Sequence, residues 1–521
     1  MVQTAEETKT ELYPNESWIL IATILASSMA FIDGSALNVA LPALQASLQA
    51  SGAGLLWIIN AYLLMLAALI LVGGSLGDRF GRKKIFMFGI SLFGVASLAC
   101  GLAPTINWMI FFRLVQGVGG ALMIPGSLSI ITASISPSRR GRAIGTWSAV
   151  TTLVTIIGPI LGGAFSDAGF WRGVFLINLP LAVVALLVLY FRVPESRDES
   201  RGTGPIDVGG AVLVTIGLAG LTYGFVSAPD RGFGDPLVWG TLLVGVLCLV
   251  GFVILEARLK YPMLPLNVFK SSTFSGANLL TLFLYGALSV GFFFLSLNMV
   301  QVQGYTKTQA SLATLPFALL LTVLSRWAGG LVDKRGPRLP LILGPALDGL
   351  GFFYMAFAGL TAGPGQYWTA FLPGIALFGV GMGFTVAPLS TSVMTSLETH
   401  FSGIASGINN AVSRTAGVLA IAIVGSIALF TFSSNLSGQT AVLALPLADH
   451  QAMLAQASKL GAATAPQGIA DGAKAAVTTA IKTSFVDTFR LVMFICAGLA
   501  WISALCTVIL IKPKPYPGPA S

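Results

Sequence analysis

The sequence contains few charged residues. Asp, Glu, Lys and Arg make up 9% of the 521 residues, whereas hydrophobic residues make up 55%, and the mean hydropathy is +0.84. A soluble globular domain carries roughly 25% charged residues. The composition therefore excludes a soluble protein and places most side chains among lipid or other helices.

Histidine and cysteine are also scarce. The two histidines, His400 and His450, both fall in predicted loops, and no set of nucleophile, base and metal ligands accompanies them. These counts argue against an enzyme and predict neither a metal nor a cofactor. We interpret the four cysteines, which lie in apolar segments without ligand-like spacing, as small buried side chains: Cys100, Cys248, Cys496 and Cys506.

What the sequence has instead is a series of long apolar runs. Each can cross the roughly 30 Å of a bilayer core as a helix. They lie near residues 17–44, 55–77, 85–103, 107–132, 143–166, 172–192, 207–227, 237–257, 274–302, 310–332, 339–360, 368–396, 403–432 and 486–511. The sequence therefore predicts an all-α polytopic membrane protein with about fourteen transmembrane helices.

Lysine and arginine are distributed unevenly between the two sides of this arrangement. The loops on the side of the chain ends hold nineteen of them and the opposite loops hold six. Because positive residues favour the cytoplasmic side, we expect both termini to be cytoplasmic and the protein to lie in the plasma membrane, the inner membrane of a cell with two. The net charge of +9 thus reflects topology, and we expect no nucleic-acid partner.

The helices divide into groups of six, two and six. An internal repeat supports this division, because GSLGDRFG at 74–81 matches GGLVDKRG at 329–336, and GVGGALMIP at 117–125 resembles GVGMGFTVAP at 379–388. Two homologous halves around a central site are typical of transporters. We expect these regions: an N-terminal tail (1–16), a six-helix bundle (17–200), two linker helices (201–270), five helices of a second bundle (271–432), an extracytoplasmic loop (433–485), the last helix (486–511) and a C-terminal tail (512–521).

The loop at 433–485 is rich in Ala, Gln, Thr and Gly and is predicted to contain one or two short helices. A lid or spacer fits this composition better than a dedicated binding module. The sequence leaves open whether an adaptor protein binds on that side.

Several motifs in order resemble one family. GSLGDRFGRKK, FFRLVQGVGG, FIDGSALNVALP, GPILGG, WRGVFLINLP and NMVQVQGYTKTQA are similar to motifs of the major facilitator superfamily, and within it to the fourteen-helix drug/proton antiporters of the EmrB/QacA type. The resemblance covers nearly the whole chain and implies export by alternating access. It also implies that Gly158, Pro159, Gly162 and Gly163 form the antiporter motif that seals the interface against leak.

Two charged residues stand out inside apolar helices of the first bundle. Asp33 lies about sixteen residues into its helix, roughly 24 Å from the cytoplasmic end. A carboxylate at that depth must face a cavity, find a partner or take up a proton. We expect Asp33 to couple protons to transport and Arg113 to tune it. The alternatives are that Asp33 caps a helix break near Gly34, and that Arg113 is tied to backbone carbonyls.

Further candidates for the substrate cavity are aromatic, flexible or polar residues in apolar helices. Asp348 is either a second acidic site or part of a local structural pair, and Arg414 lies on one helix face with Asn410. The complete set is Trp57, Tyr62, Gln116, Asp348, Met382, Phe384, Asn410 and Arg414.

The repeated loop has two roles that are compatible. Its charges favour the cytoplasmic side, and the resemblance implies a conformational latch between the halves. The latch residues are Gly74, Asp78, Arg79, Gly81, Arg82 and Asp333.

These features predict a proton-coupled antiporter for amphipathic drug-like compounds, either cationic or neutral and lipophilic, with the compound, protons and the lipid bilayer as its partners. An exporter or symporter of a defined metabolite or lipid is the alternative, although GPILGG argues against symport. A receptor or an intramembrane enzyme fits the duplicated halves less well.

The topology can be tested by cysteine-accessibility labelling. With single cysteines at Ser437 and Ser521, we expect an impermeant thiol reagent to reach position 437 from outside the cell and position 521 only from the cytoplasm, because the charge asymmetry determines the orientation. Labelling of both positions from the same side would contradict the fourteen-helix count.

Overall fold

Helices account for nearly all of the structure. The computed structural model describes residues 14–196, 207–397, 402–441, 443, 445–466, 469 and 471–512. In this part of the chain there are fourteen long helices and no β-strand. The helices are α1 (Pro14–Leu48), α2 (Gly52–Phe80), α3 (Arg82–Leu102), α4 (Ile106–Ser134), α5 (Pro137–Asp167), α6 (Asn178–Arg192), α7 (Val208–Arg231), α8 (Pro236–Arg258), α9 (Ser272–Leu297), α10 (Leu315–Arg335), α11 (Arg338–Ala356), α12 (Leu372–Thr395), α13 (Ser402–Ala441) and α14 (Asp471–Leu510).

The prediction of an all-α polytopic membrane protein is confirmed. Among the described residues, thirteen helical segments are long and apolar enough to cross a membrane. The remaining helix, α5, begins with a basic stretch, and its apolar part, Leu153–Asp167, is shorter. The number of fourteen crossings therefore stays a prediction.

Side-chain caps set where several helices begin. Ser51 accepts a hydrogen bond from the Gly54 amide at 3.1 Å to start α2, and Asp235 accepts one from the Leu237 amide to start α8. Such caps satisfy amide groups that have no partner within the helix. They allow connections of only a few residues between α1 and α2 and between α7 and α8.

The region predicted as a loop at 433–485 differs from the expectation at both ends. Helix α13 continues to Ala441 and α14 begins at Asp471, and each helix has 40 residues. At 1.5 Å per residue they are about 60 Å long, which exceeds the hydrocarbon thickness. Hydropathy marks only the membrane-embedded part of a helix, whereas these more polar ends remain helical and contact each other, as the hydrogen bond from the Thr483 hydroxyl to the Gln439 side chain shows.

The remaining connection, 442–470, contains a helix at Leu447–Leu454 and a 3-10 helix at Ala457–Ala462, which confirms the predicted short helices. We call the face of the protein that carries it the lid face. The Lys459 carbonyl accepts a hydrogen bond from Gln45 at the end of α1, and Gln301 after α9 donates to the Gln45 side chain at 2.7 Å. The connection thus contacts the place where the first and last six helices meet.

A second set of contacts on the lid face joins the first six helices to the last six. The Asp167 carboxylate, at the end of α5, accepts hydrogen bonds from the amides of Lys307 and Thr308 at 3.1 and 2.8 Å. These amides begin a short helix, Lys307–Ala313, that precedes α10. The Ser296 hydroxyl donates to the Asn38 carbonyl at 2.7 Å. The two groups are therefore held together by hydrogen bonds on this face.

The linker helices α7 and α8 pack against each other, and α7 also packs against α2 and α13. Helix α2 belongs to the first six helices and α13 to the last six. Helix α7 therefore borders a line along which the two groups meet.

Close approach of helices at glycine is a testable feature of this packing. A Cβ at Gly73 of α2 would collide with the Ala121 carbonyl of α4, whereas a Cβ at Gly498 of α14 would meet nothing within 4 Å. We expect Gly73→Ala to lower stability by about 1–3 kcal/mol because backbone must shift. The matched Gly498→Ala should be neutral or slightly stabilising. Thermal denaturation of the purified variants measures both, and equal melting temperatures would contradict the packing described.

Candidate functional site

The centre of the first bundle contains a buried ion pair. Asp33 of α1 is 0% exposed, and its Oδ2 lies 2.6 Å from the Nη1 of Arg113, which is 1% exposed. Gln116 donates a second hydrogen bond to Asp33 Oδ1 at 2.9 Å. A charge-assisted contact this short is among the strong hydrogen bonds in proteins.

Helix α4 presents Arg113 and Gln116 to α1 from one face, because residues three apart lie on the same side of a helix. The Arg113 Nη1 also donates to Gln116 Oε1 at 2.8 Å, and its Nε donates to the Ile58 carbonyl of α2 at 3.1 Å. The Tyr62 ring lies 4.4 Å from the guanidinium carbon in a cation–π contact. Three helices therefore hold the arginine in place.

The two simpler interpretations of these residues can now be judged. Helix α1 runs without interruption through Gly34, so Asp33 does not cap a helix break, and that alternative is wrong. Arg113 does bind one backbone carbonyl, that of Ile58, as the structural alternative proposed. Its remaining partners are side chains, so the backbone contact is one of several, and the tuning of Asp33 by Arg113 stays a prediction.

Two further polar residues extend the network, and the sequence reasoning did not select them. Ser97 of α3 accepts hydrogen bonds from Gln116 and from Asn178 of α6, at 3.3 and 3.0 Å. Its own hydroxyl donates to the Phe175 carbonyl at 2.8 Å. Asn178 lies inside the WRGVFLINLP motif, which was a usable signal, whereas nothing around Ser97 in the sequence distinguished it.

The GPILGG stretch determines how closely α1 approaches α5. A Cβ at Gly158 would collide with the Ser35 hydroxyl, and one at Gly162 with the Ala36 carbonyl, so both glycines face the turn of α1 that follows Asp33. Gly163 instead faces the Thr308 backbone of the short helix before α10.

The neighbouring Pro159 carbonyl accepts a hydrogen bond from Ser311 in the same short helix. The motif thus joins the helix that carries Asp33 to the second group of helices.

Arg414 and Asn410 lie on the face of α13 that looks toward the first bundle. Gly407 and Gly417, on the same face, would contact Leu71 and Leu63 of α2 if they carried a Cβ. Asn410 is exposed and Arg414 is half-buried. Arg414 acts electrostatically on Tyr62, the residue that covers Arg113. This places a positive charge of the second half near the ion pair of the first.

Three predicted cavity residues lie away from the pair of Asp33 and Arg113. Trp57 packs against Tyr223 of α7, with ring centroids 6.3 Å apart, and Phe384 packs against Trp327 of α10 at 5.5 Å. Met382 is 3% exposed within the core of the second bundle. No contact joins these side chains to Asp33 in the described part of the chain, so their role in a cavity stays a prediction.

The loop between α2 and α3 has a defined shape. Gly81 adopts φ of +109°, which favours glycine, and the Glu195 carboxylate accepts hydrogen bonds from the amides of Lys83 and Lys84 at 2.9 and 3.2 Å. The Arg82 amide donates to the Ser196 carbonyl. Helix α6 therefore anchors this loop through the segment that follows it.

The other predicted latch residues are less informative. Gly74 lies near Pro125 of α4, and Arg79 stacks on Phe80. The side chains of Asp78 and Asp333 fall outside the described residues, so the latch stays a prediction.

Comparison with known proteins identifies the family. Residues 23–421 match the Major Facilitator Superfamily. The chain belongs to this superfamily. It is therefore a multi-pass membrane transporter of small molecules, and not an enzyme, as its composition indicated.

Similar proteins in this superfamily include resistance and export proteins. The chain is 29% identical to "Tetracenomycin C resistance and export protein" of Streptomyces glaucescens, over 96% of this chain and 94% of the relative. It is 31% identical to "Puromycin resistance protein pur8" of Streptomyces alboniger, over 94% and 91%. It is 32% identical to "Multidrug resistance protein Stp" of Mycobacterium tuberculosis (strain CDC 1551 / Oshkosh), over 80% and 76%.

Solved structures of the superfamily share the fold. A bacterial homologue of the human lysosomal transporter Spinster, in an inward-facing and unoccupied conformation, has a TM-score of 0.62 at 17% identity, covering 96% of this chain and 98% of that one. An auto-inhibited peptide transporter of the POT family has a TM-score of 0.65 at 14% identity, over 98% and 99%.

The ion pair makes a testable prediction about stability. Arg113→Met leaves the Asp33 carboxylate buried without its partner, and breaking a buried pair in this way costs about 3–5 kcal/mol. Asp33→Asn should cost less, because the amide oxygen can still accept from Arg113. We expect the double variant to be no less stable than Arg113→Met alone, since the pair acts as a unit. Strictly additive losses in thermal denaturation at pH 8 would contradict the pair.

Proposed function

We propose that this transporter is a proton-coupled antiporter that exports amphipathic drug-like compounds, either cationic or neutral and lipophilic. The observation that carries the proposal is the buried pair of Asp33 and Arg113. Three relatives are named for resistance to tetracenomycin C, to puromycin and to multiple drugs, and these names support a drug-like substrate.

The chemistry of antiport follows from a carboxylate that both a proton and a substrate can influence. A proton on Asp33 neutralises it and removes the counter-charge of Arg113, which is then buried without a partner. A bound cationic substrate favours the ionised form instead. Because each ligand disfavours the other at one site, proton entry drives substrate exit.

Alternating access is the motion that we attach to this chemistry. We place the first six helices and the last six in two bundles that rock around the site, with α7 and α8 as linkers. The segment at the end of α2, with Gly74, Asp78, Arg79, Gly81 and Arg82, and its repeat at the end of α10, with Asp333, act together as the latch on the cytoplasmic side. We place both termini in the cytoplasm, the lid face outside and the protein in the plasma membrane.

Asp33→Asn tests the proposal in proteoliposomes with puromycin and ethidium as probes. We expect the wild type to accumulate a probe against its gradient when only a pH difference is imposed. Asp33→Asn, which cannot exchange a proton, should abolish this accumulation while the protein stays folded. Arg113→Lys should shift the pH optimum, since a lysine cannot reproduce the fork of contacts, and Arg113→Ala should nearly abolish flux.

Accumulation by Asp33→Asn at the wild-type level would show that another group couples the proton. Gln49→Ala is the matched control, because this exposed residue lies at the lid-face end beyond α1; it should leave accumulation unchanged.

A further inference from the structure

A second acidic side chain is buried in the other half of the protein. Asp348, in the middle of α11, is 0% exposed. In the described part of the chain neither carboxylate oxygen accepts a hydrogen bond of normal geometry, and the Met382 amide is a nearby backbone donor. It also forms no ion pair with a described side chain. The expected alternative of a local structural pair is therefore wrong.

The charged and titratable groups around Asp348 come from few elements. Helix α12 contains none. On α14, Asp487 and Arg490 are paired with each other at 3.1 Å, the Cys496 thiol is buried and the Cys506 thiol is half-buried. The charges of Asp348 in α11 and of Arg414 in α13 both act on the Tyr285 side chain of α9. An ionised carboxylate without a partner costs several kcal/mol in such a place, and the neutral acid avoids that cost.

The internal repeat indicates that packing does not require an acid here. The offset of 255 residues that aligns the two loop motifs aligns Asp348 with Phe93, and the matching GVG segments align Gly381 with Gly119. In the first half, a Cβ at Gly119 would lie 2.6 Å from the Phe93 amide nitrogen, and in the second half a Cβ at Gly381 would collide with Asp348 Oδ1. Phe93 is 0% exposed.

The same helix crossing is thus filled by phenylalanine in one half and by an acid in the other. We propose that Asp348 is a second proton-binding group of the transport cycle. In the conformation described here its carboxyl group holds a proton. It releases the proton when α9 and α13 move and bring water and Arg414 to the carboxyl group. This inference rests on the proposed antiport and adds a proton to each cycle.

The proton balance is simple. The O–H bond of the neutral acid breaks, the proton passes to water, and the Arg414 guanidinium stabilises the carboxylate that remains. In the return step the carboxylate takes a proton from water on the other side. Arg414 also acts on Tyr62 beside the Asp33 pair, so the same positive charge is within electrostatic range of Tyr62 in the first half and of Tyr285 in the second.

The experiment measures how steep a probe gradient a pH difference can sustain in proteoliposomes, with the membrane potential clamped at zero and puromycin and ethidium as probes. Each exchanged proton contributes a factor of ten per pH unit. If two protons are exchanged, the wild type sustains about a 100-fold gradient per pH unit. Asp348→Asn should then sustain about tenfold, and Asp348→Glu, which keeps the acid, should recover part of the difference.

Asp348→Ser is a second neutral variant for the case in which the asparagine does not fold. A wild-type gradient in Asp348→Asn or Asp348→Ser would overturn the inference and leave the proposed antiport intact. If neither neutral variant folds, the acid serves the fold, and the inference is also wrong. If the wild type accumulates neither probe, the proposed function fails and this inference fails with it.

Discussion

The structure of the first half depends on the cost of placing Asp33 and Arg113 in a membrane. Each charge alone would be expensive to bury, so each needs the other and further hydrogen bonds. Gln116, the Ile58 carbonyl and the Tyr62 ring supply those contacts from two helices. Helices α1, α2 and α4 must therefore keep their relative positions for the pair to exist, and the surrounding glycines and small residues make that positioning possible.

The two halves repeat the backbone but not the chemistry. The position that corresponds to Arg113 by the repeat of the GVG segments is Ile375, which is 2% exposed in the core of the second half. The second half has Arg414 on a different helix, and it has Asp348 where the first half has Phe93. A duplicated scaffold thus tolerates charge at several sites. We interpret the difference as the reason why the halves can respond differently to protons while moving as similar bodies.

Much of the fold could be predicted from the sequence because hydropathy responds to the membrane. The apolar runs locate all the long helices, but they stop at residue 432 and resume at 486, where α13 and α14 continue outside the hydrocarbon. Depth in a helix and a family motif drew attention to Asp33 and Arg113, and Gln116 was among the expected cavity residues. Ser97 and Trp57 could not be assigned in this way, because their partners come from other helices and single-helix periodicity contains no information about them.

Helix α1 connects the charge site with the lid face. Asn38 and Gln45 lie five and twelve residues after Asp33, which is about 8 and 18 Å along the helix, and both take part in contacts between the halves. Those contacts are hydrogen bonds, each with a net contribution of roughly 1 kcal/mol, and bonds of this strength exchange readily with water. Asp33 and both lid-face contacts thus belong to one helix, although Pro42 removes one of its backbone hydrogen bonds between Asn38 and Gln45.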